Sequence, residues 1–332
     1  MKLLFAVILS LVFRAAVAQT PVDDNDVVRV DTDVTNLLFT AANKQKQFIN
    51  NLREDEIRVF EDGVPQQLLT FQKETDRPLS IAFLIDVSGS EEKTLPKEKA
   101  AARAFIETAV QSSKDEVAII PFTHAAFLEQ NLTNNVLNVF RSLQSVDIAL
   151  PGYLGSGKPL TGITSGPGTL RPPEEGSTAI WEAIALTSDN VLSRTSSTRR
   201  RAIILLTDGQ DTSSRLPRNV AIEQALQNEV TIYGIGIGDD DPGIDRNALR
   251  AVSELTGGRA FFPKKDADLK AAFAEIELEL RSQYLLAYSS TNKRRDGSYR
   301  QVKIEITNAE RSKEQLQLRY RPGYFANPLV KR

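Results

Sequence analysis

Oxygen-bearing side chains follow two apolar runs of the sequence, at the point where each run ends. The first run, IAFLIDVSGS, ends on Asp86, Ser88 and Ser90, and the second, IILLTDG, ends on Asp208. Ligands of open α/β sheets collect at the carboxyl ends of the strands. Hard divalent cations such as Mg²⁺ prefer carboxylate and hydroxyl oxygen to nitrogen or sulfur. If the two runs are neighbouring strands, these side chains form a divalent-metal site.

The residue inventory excludes most other site chemistries. The 332 residues include no cysteine, which excludes disulfides, thiolate nucleophiles and zinc sites of the cysteine kind. The single histidine, His124, excludes histidine-cluster metal sites. Without a G-x-S-x-G motif, His124 also gives little support for a Ser-His-Asp triad. A bound divalent ion must therefore be held by oxygen.

Composition and charge are those of a folded protein with a polar surface. The chain is 41% hydrophobic and 25% charged, with a formal net charge of -2, and its length suggests about two domains. This balance predicts no nucleic-acid partner. Three consecutive arginines at 199–201 are too few for a nucleic-acid-binding surface, and they predict a solvated turn between a helix and a strand.

Strand and helix patterns alternate between Pro78 and Arg281, and these elements must position the acidic residues. Such alternation is typical of an α/β fold with a doubly wound, mostly parallel sheet. The predicted strands are 79–86, 116–122, 201–207, 230–236 and 259–262. The predicted helices are 96–111, 134–142, 178–192, 217–229, 245–256 and 266–281. In a doubly wound sheet Asp86 and Asp208 would be neighbours at the switch point, although the sequence does not give the strand order.

Three motifs follow each other along the chain: the D-x-S-x-S of the first run, the segment GSTAIWEAI, and the TDG of the second run. In these residues the chain closely resembles the von Willebrand factor type A (VWA) domain, a Rossmann-like α/β fold, and its metal-ion-dependent adhesion site (MIDAS). Carried over residue by residue, the resemblance implies hydroxyl ligands and aspartates that bind the ion directly or through water. These residues are Asp86, Ser88, Ser90, Thr178 and Asp208.

The resemblance also implies a cofactor and a way of binding a partner. The ion would be Mg²⁺, with Mn²⁺ or Ca²⁺ as alternatives. Hydroxyl ligands leave the ion under-neutralised, so it keeps an open position for an acidic side chain of a partner. Four neighbouring residues are predicted to support the loops: Gly89, Ser177, Gly209 and Asp211. The alternative is that Asp, Ser and Gly at these strand ends are ordinary turn and helix-capping residues.

A Gly/Pro-rich stretch over 147–176 leads directly to Thr178 and is longer than a connection needs to be. We expect it at the rim of the metal crevice, where it would select the partner; the alternative is a mobile insertion. The candidate partner-selecting residues are Tyr153, Lys158, Glu174 and Glu175. The stretch also contains GYLGSGK, which is similar to a phosphate-binding loop. Pro159 stands where Mg²⁺ would need Ser or Thr, so no nucleotide partner is predicted.

The two flanks of the α/β region have strand patterns. Residues 27–75 alternate apolar and polar side chains, as do YLLAYSS, YRQVKIEI and QLQLRYRPGYF near the other end. Because neither flank can bury a face alone, we predict one small antiparallel β module built from both. The segments LREDEIRVFEDGVPQQLLTF, SQYLLAYSSTNKRRDGSYRQVKIEI and RYRPGYFA resemble a secreted VWA-related family of Acidobacteria.

The first eighteen residues have the pattern of a secretory signal peptide. Lys2 precedes the apolar stretch LLFAVILSLVF, and Ala16-Val17-Ala18 is a small-residue cleavage site. The stretch is shorter than the roughly 20 residues that span a bilayer, which argues against the alternative of a membrane anchor. The predicted segments are a signal peptide (1–18), an N-terminal β-rich segment (19–77), the VWA domain (78–281) and C-terminal strands (282–332). The mature chain would have no transmembrane segment and would be periplasmic or secreted.

Three functions are compatible with these features. The first is an exported binding module whose metal captures an acidic group on a protein or cell-envelope partner. The second is a hydrolase in which the metal activates water, although the sequence identifies no base for it. The third is a structural protein in which the metal only stabilises the crevice and the β module mediates assembly. The sequence favours the binding module and does not identify the partner.

Overall fold

The computed structural model describes residues 34–73, 76–149, 157–160, 177–237 and 243–326. The chain divides into Met1–Asp33, which lies outside the described residues, and a compact unit over Val34–Arg332. The predicted signal peptide also lies outside them, as do Tyr153, Glu174 and Glu175 of the predicted rim loop. Among the helices of the described ranges, none is long and apolar enough to cross a membrane.

The elements of the described residues are as follows, in chain order. The strands are β1 (Val34–Ala42), β2 (Ile57–Glu61), β3 (Val64–Gln66), β4 (Leu68–Lys73), β5 (Leu79–Asp86), β6 (Glu116–Phe122), β7 (Phe127–Leu128), β8 (Gln130–Thr133), β9 (Lys158–Pro159), β10 (Arg200–Thr207), β11 (Val230–Gly236), β12 (Ala260–Phe261), β13 (Tyr284–Ser289), β14 (Tyr299–Ile306), β15 (Gln317–Tyr320) and β16 (Gly323–Phe325). The helices are α1 (Leu95–Ala109), α2 (Val136–Ser145), α3 (Ile180–Thr187), α4 (Arg218–Gln227), α5 (Arg246–Leu255), α6 (Asp266–Arg281) and α7 (Ala309–Lys313).

A six-stranded sheet in the order β12-β11-β10-β5-β6-β8 forms the centre of the α/β part. Its pairs are parallel except that β8 runs antiparallel to β6. Helices cover both faces, which explains why all eight residues of β5 are buried and form one continuous apolar run. One face packs against α1, α2 and α6, and the other against α3, α4 and α5. The predicted doubly wound α/β fold is confirmed.

The predicted β module is also confirmed, and it consists of two antiparallel sheets. Their strand orders are β15-β1-β13-β4 and β16-β14-β2-β3, so each sheet combines strands from both flanks of the α/β part. Side chains of the two sheets share one apolar core, in which the rings of Phe39 and Tyr284 stack at 5.1 Å. The segment boundaries 19–77, 78–281 and 282–332 stay a prediction.

Candidate metal centre

The two predicted strand ends lie side by side in the central sheet. β5 and β10 pair in parallel, with Ile85 opposite Leu206, so Asp86 and Asp208 emerge at the same carboxyl edge. On the other side of β5, Asp86 lies opposite Phe122, the last residue of β6. The prediction that Asp86 and Asp208 are neighbours at the switch point is therefore correct.

Asp86 is completely buried, and its two carboxylate oxygens contact its own loop and the end of β10. Oδ1 accepts a hydrogen bond from the Ser88 amide at 3.0 Å, and Oδ2 accepts one from Thr207 Oγ1 at 2.6 Å. The chain then makes a single 3₁₀ turn over Gly89–Glu91, which brings the Ser90 hydroxyl to 3.1 Å from the Ser88 hydroxyl. Two hydroxyl oxygens are thereby placed next to a buried carboxylate.

Asp208 is half-buried and faces this loop from the end of β10. Its Oδ1 accepts the Gln210 amide at 2.9 Å, and its own amide donates to Glu91 Oε1 at 3.0 Å. Burial raises the pKa of Asp208, whereas hydrogen bonds from Gln210 and from the Ser90 hydroxyl act to lower it. Asp208 and Ser90 are therefore within reach of each other, as the predicted ligand set requires.

Glu91 joins this cluster, although sequence reasoning did not identify it. One carboxylate oxygen each from Asp86, Glu91 and Asp208 lies within 4.8 Å of the others. Burial, together with repulsion from neighbouring carboxylates, raises the pKa of Asp86 to about 6 and that of Glu91 to about 7. Behind them, burial and repulsion from Glu91 raise the pKa of the fully buried Glu98 well above its ordinary value.

This donor set fits a divalent cation. Burying several carboxylates together is unfavourable unless an opposite charge compensates them. Within the described residues, no lysine or arginine is among the largest causes of the pKa shifts of Asp86, Glu91, Asp208 and Glu98. Carboxylate and hydroxyl oxygens are the ligands of hard divalent ions. The cluster is therefore a candidate divalent-cation site.

Thr178 lies at the same edge of the sheet, held by its backbone. Its carbonyl accepts the amides of Thr212 and Ser213 at 2.9 and 3.0 Å, in the loop that follows β10. The next amide, that of Ala179, donates at 2.7 Å to the carbonyl of Thr123, directly after β6. Thr178 is thus fixed between the loops after β6 and β10, although among the described residues no hydrogen bond joins its hydroxyl to Asp86 or Asp208.

Asp211 holds the start of α3. One of its carboxylate oxygens accepts the Ile180 amide at 2.8 Å and the Ser214 hydroxyl at 2.5 Å. The Ser214 hydroxyl in turn accepts the amide of Trp181 at 3.0 Å. These bonds satisfy amides that the first turn of a helix leaves without intrahelical partners, in keeping with the predicted support of the loop.

The other residues that were predicted to support the loops or to line the rim differ in their burial and contacts. Gly209 has a φ of +82°, and a Cβ there would lie 2.9 Å from the Leu249 side chain, so glycine is required. Gly89 has open space around it and no such requirement. Ser177 is nearly buried beside Thr178. Lys158 is exposed on the short strand β9.

His124 follows β6 at the same edge as the cluster. Its Nδ1 lies 3.1 Å from the hydroxyl of Thr123. Burial lowers the pKa of the imidazole, which favours the neutral form of the ring. A neutral histidine adds no positive charge to compensate the acidic cluster.

Two models of the von Willebrand factor type A domain match the sequence, over residues 81–210 and 168–275. Between them they span more than half of the chain and both strand ends of the metal centre. The chain belongs to the von Willebrand factor type A domain proteins. No curated protein sequence matches it.

Several solved structures are similar to this chain. The proximal thread matrix protein 1 of the mussel byssus, with a zinc-occupied MIDAS motif, is 15% identical, with a TM-score of 0.49 over 67% of this chain and 50% of that one. The conserved hypothetical protein BatB from Bacteroides thetaiotaomicron is 19% identical, with a TM-score of 0.44 over 61% and 100%. A von Willebrand factor type A protein from Catenulispora acidiphila is 13% identical, with a TM-score of 0.47 over 83% and 74%. The chain spans about half the length of the mussel protein.

Proposed function

We propose that this protein is a metal-dependent binding module. A divalent cation held by Asp86, Ser88, Ser90, Thr178 and Asp208 takes a carboxylate from a protein or cell-envelope partner in an open coordination position. The buried cluster of Asp86, Glu91 and Asp208 at the carboxyl edge of the sheet carries this proposal. A cation would compensate the charge of this cluster, and the carboxyl edge of an open α/β sheet is where such folds bind their ligands.

The charges of the ligands permit an acidic partner. Asp86 and Asp208 balance the charge of a divalent ion and three hydroxyl ligands add none, so the site has no excess negative charge that would repel a carboxylate. Glu91 directs one oxygen to the Asp208 amide and the other to the Thr94 hydroxyl at 2.5 Å. We therefore assign Glu91 to holding the Asp208 loop, so that no third carboxylate over-neutralises the ion and its open coordination position can take an external carboxylate.

The proposal includes the identity of the ion and the location of the protein. We propose Mg²⁺ because it retains water in some of its coordination positions, and a partner can displace that water. Mn²⁺ and Ca²⁺ are the alternatives. The signal-peptide pattern of residues 1–18 supports export to the periplasm or the medium. The family consists mostly of interaction modules rather than enzymes, which supports binding over hydrolysis.

Two measurements test the proposal, and the first concerns the ion. Trp181 is the single tryptophan and lies three residues after Thr178, so its fluorescence reports on the loop that carries this ligand. Titration with Mg²⁺, Mn²⁺ and Ca²⁺ is expected to give saturable binding to the wild type and none to Asp86→Ala. Asp296→Ala, a change at an exposed turn, is the matched control and is expected to bind like the wild type.

The second measurement concerns the partner. The full chain is passed over a resin that carries acidic peptides, and over envelope and secreted fractions of the producing organism. Retention by the wild type and by Asp296→Ala in Mg²⁺, with loss in EDTA and in Asp86→Ala, is the expected result. Equal retention of the wild type in Mg²⁺, the wild type in EDTA, Asp296→Ala and Asp86→Ala would show that the metal centre is not the binding surface.

A further inference from the structure

A pair of arginines lies on α5, at its start and one turn further on. The guanidinium groups of Arg246 and Arg250 both lie over the ring of Phe262, with their central carbons 4.7 and 5.3 Å from its centroid. Phe262 directly follows β12 and packs on β11, where Gly236 leaves room for it, because a Cβ there would lie 2.7 Å from the ring. The ring therefore gives both guanidinium groups a fixed surface at the carboxyl edge of the sheet.

Hydrogen bonds join the start of α5 to the loop that carries Asp208. The amide of Asp245, which precedes Arg246, donates to the carbonyl of Asp208 at 3.0 Å. From the same loop, Gln210 Nε2 donates to the carbonyl of Gly243 at 2.6 Å. The arginine pair therefore adjoins the metal centre along one edge of the sheet.

Both arginines keep their hydrogen-bond donors. Among the described residues, no hydrogen bond or ion pair engages the guanidinium group of Arg246 or Arg250. Arg250 is exposed and Arg246 is half-buried. The carboxylate of Asp245 accepts the amide of Ala248 at 2.9 Å and caps the helix. The guanidinium N–H groups are therefore open to a partner.

The arginines at 199–201 differ from this pair. The sequence predicted a solvated turn for them, and that prediction is wrong, because Arg200 is buried and its two neighbours are half-buried. They donate to the carbonyls of Leu79, Leu280 and Asn228. Their donors are used inside the protein, whereas those of the pair on α5 face outward from a ring.

The placement of the pair is electrostatically unfavourable in the free protein. Residues 246 and 250 lie one turn apart on the same face of α5, where like charges repel each other. Arg246 is also the first residue of the helix, at the positive end of its dipole. Lys264 and Lys265, which follow Phe262 closely in the chain, are exposed and add positive charge. Carboxylates of a partner would compensate this repulsion.

We propose that Arg246 and Arg250 form a second contact for the acidic partner, beside the carboxylate that the ion takes. This inference rests on the proposed function and narrows the partner to an extended polypeptide segment with several acidic residues. A guanidinium group matches a carboxylate in bidentate geometry, and a stacked one is already oriented. Side chains two residues apart on an extended chain lie on one side, about 7 Å apart. Arginines one helical turn apart are about 6 Å apart along the axis, so alternating acidic residues fit the pair.

The test uses a labelled, amidated peptide in which aspartate alternates with serine. Fluorescence anisotropy measures its binding to the full chain at constant ionic strength, in excess Mg²⁺ and in EDTA. In Mg²⁺, Arg250→Gln is expected to weaken binding by about fivefold. Arg250→Lys, which keeps the charge but not the planar fork, is expected to weaken it by less.

Arg103→Gln is the matched control. Arg103 is also exposed and also lies over an aromatic ring, that of Phe140 at 4.4 Å, but on α1, which covers the other face of the central sheet. Its variant loses the same charge and is expected to bind the peptide like the wild type. Near-ultraviolet circular dichroism establishes that each variant is folded.

The outcomes separate this inference from the proposed function. If binding requires Mg²⁺ but Arg250→Gln binds as tightly as Arg103→Gln, the second contact is overturned and the proposed function stands. If the wild type binds the peptide equally in Mg²⁺ and in EDTA, or in neither, the proposed function is overturned and the second contact with it.

Discussion

Replacing Asp86 by asparagine is expected to stabilise the metal-free protein near neutral pH. Burial raises the pKa of Asp86 from 3.8 to about 6 in the folded chain. Between these values the folded state binds more protons than the unfolded state, so stability falls as the pH rises through this window. Above it, the folded state carries the full penalty of a buried charge. Asparagine keeps the shape and carries no charge.

The magnitude follows from the size of the pKa shift. A rise from 3.8 to about 6 corresponds to about 3 kcal/mol of unfolding free energy at neutral pH, since each pKa unit is worth 1.36 kcal/mol. The unfolding free energies of the variant and the wild type should be nearly equal below pH 3.8. A divalent ion at about 1,000 times its Kd returns about 4 kcal/mol to the wild type alone. The order of stability should therefore reverse when the ion is added.

The assay is urea unfolding followed by the fluorescence of Trp181, between pH 4 and pH 8, with EDTA or with Mg²⁺. The asparagine side chain can accept from the Ser88 amide and donate to Thr207, because the hydroxyl of Thr207 can rotate. Both hydrogen bonds can therefore form in the variant.

Asp115→Asn is the control, since Asp115 is equally buried but lies 2.6 Å from a nitrogen of Arg281. Breaking that pair should destabilise the protein by about 3–5 kcal/mol, with or without the ion. The reasoning about Asp86 fails if Asp86→Asn is less stable than the wild type in EDTA at pH 7. It also fails if the difference between them does not change with pH.

Two further predictions concern other parts of the chain. Asp211→Ala removes the acceptor of the Ile180 amide and should destabilise the protein by about 1–2 kcal/mol. Calorimetry should show little change in Mg²⁺ affinity. A loss of Mg²⁺ affinity of about tenfold would instead identify Asp211 as a ligand of the ion. Glu61→Gln breaks the buried pair with Arg300 at 3.0 Å and should cost about 3–5 kcal/mol in urea unfolding. Burial opposes ionisation of Glu61, but hydrogen bonds outweigh this effect and lower its pKa from 4.5. The loss of unfolding free energy in Glu61→Gln should therefore be complete above pH 4.5 and become smaller below it. A loss that does not vary with pH would contradict this.

The α/β fold was predictable because its central strands are covered on both faces. β5, β6 and β11 have the predicted bounds, and β10 begins one residue earlier than predicted. α6 also has the predicted bounds, whereas the bounds of the other predicted helices differ by a few residues, since the ends of helices are not set by hydrophobic periodicity. β8, with the sequence QNLT, was not predicted. It is a short, polar edge strand, and its pairing with β6 is a tertiary contact without a local signal.

The surroundings of charged side chains were less predictable than the elements that carry them. The burial of Arg200 depends on the carbonyls of Leu280 and Arg77, which lie far from it in the sequence. A run of arginines has the same local pattern whether water or carbonyls solvate it. Sequence reasoning chose the commoner case, and the fold brings the carbonyls to the arginine.

Glu91 was missed for the same reason, and its contacts show how the metal centre is assembled. It comes directly after Ser90, in the 3₁₀ turn that directs its side chain inward, and it accepts the amide of Asp208 from a strand more than a hundred residues away. This bond ties together the two loops that carry the aspartates. Since Thr207 also donates to Asp86 across the same gap, the ligand loops are joined by two hydrogen bonds that do not involve the ion. We therefore expect the proposed ion to find its loops already in place, so that little of its binding energy is spent on ordering them.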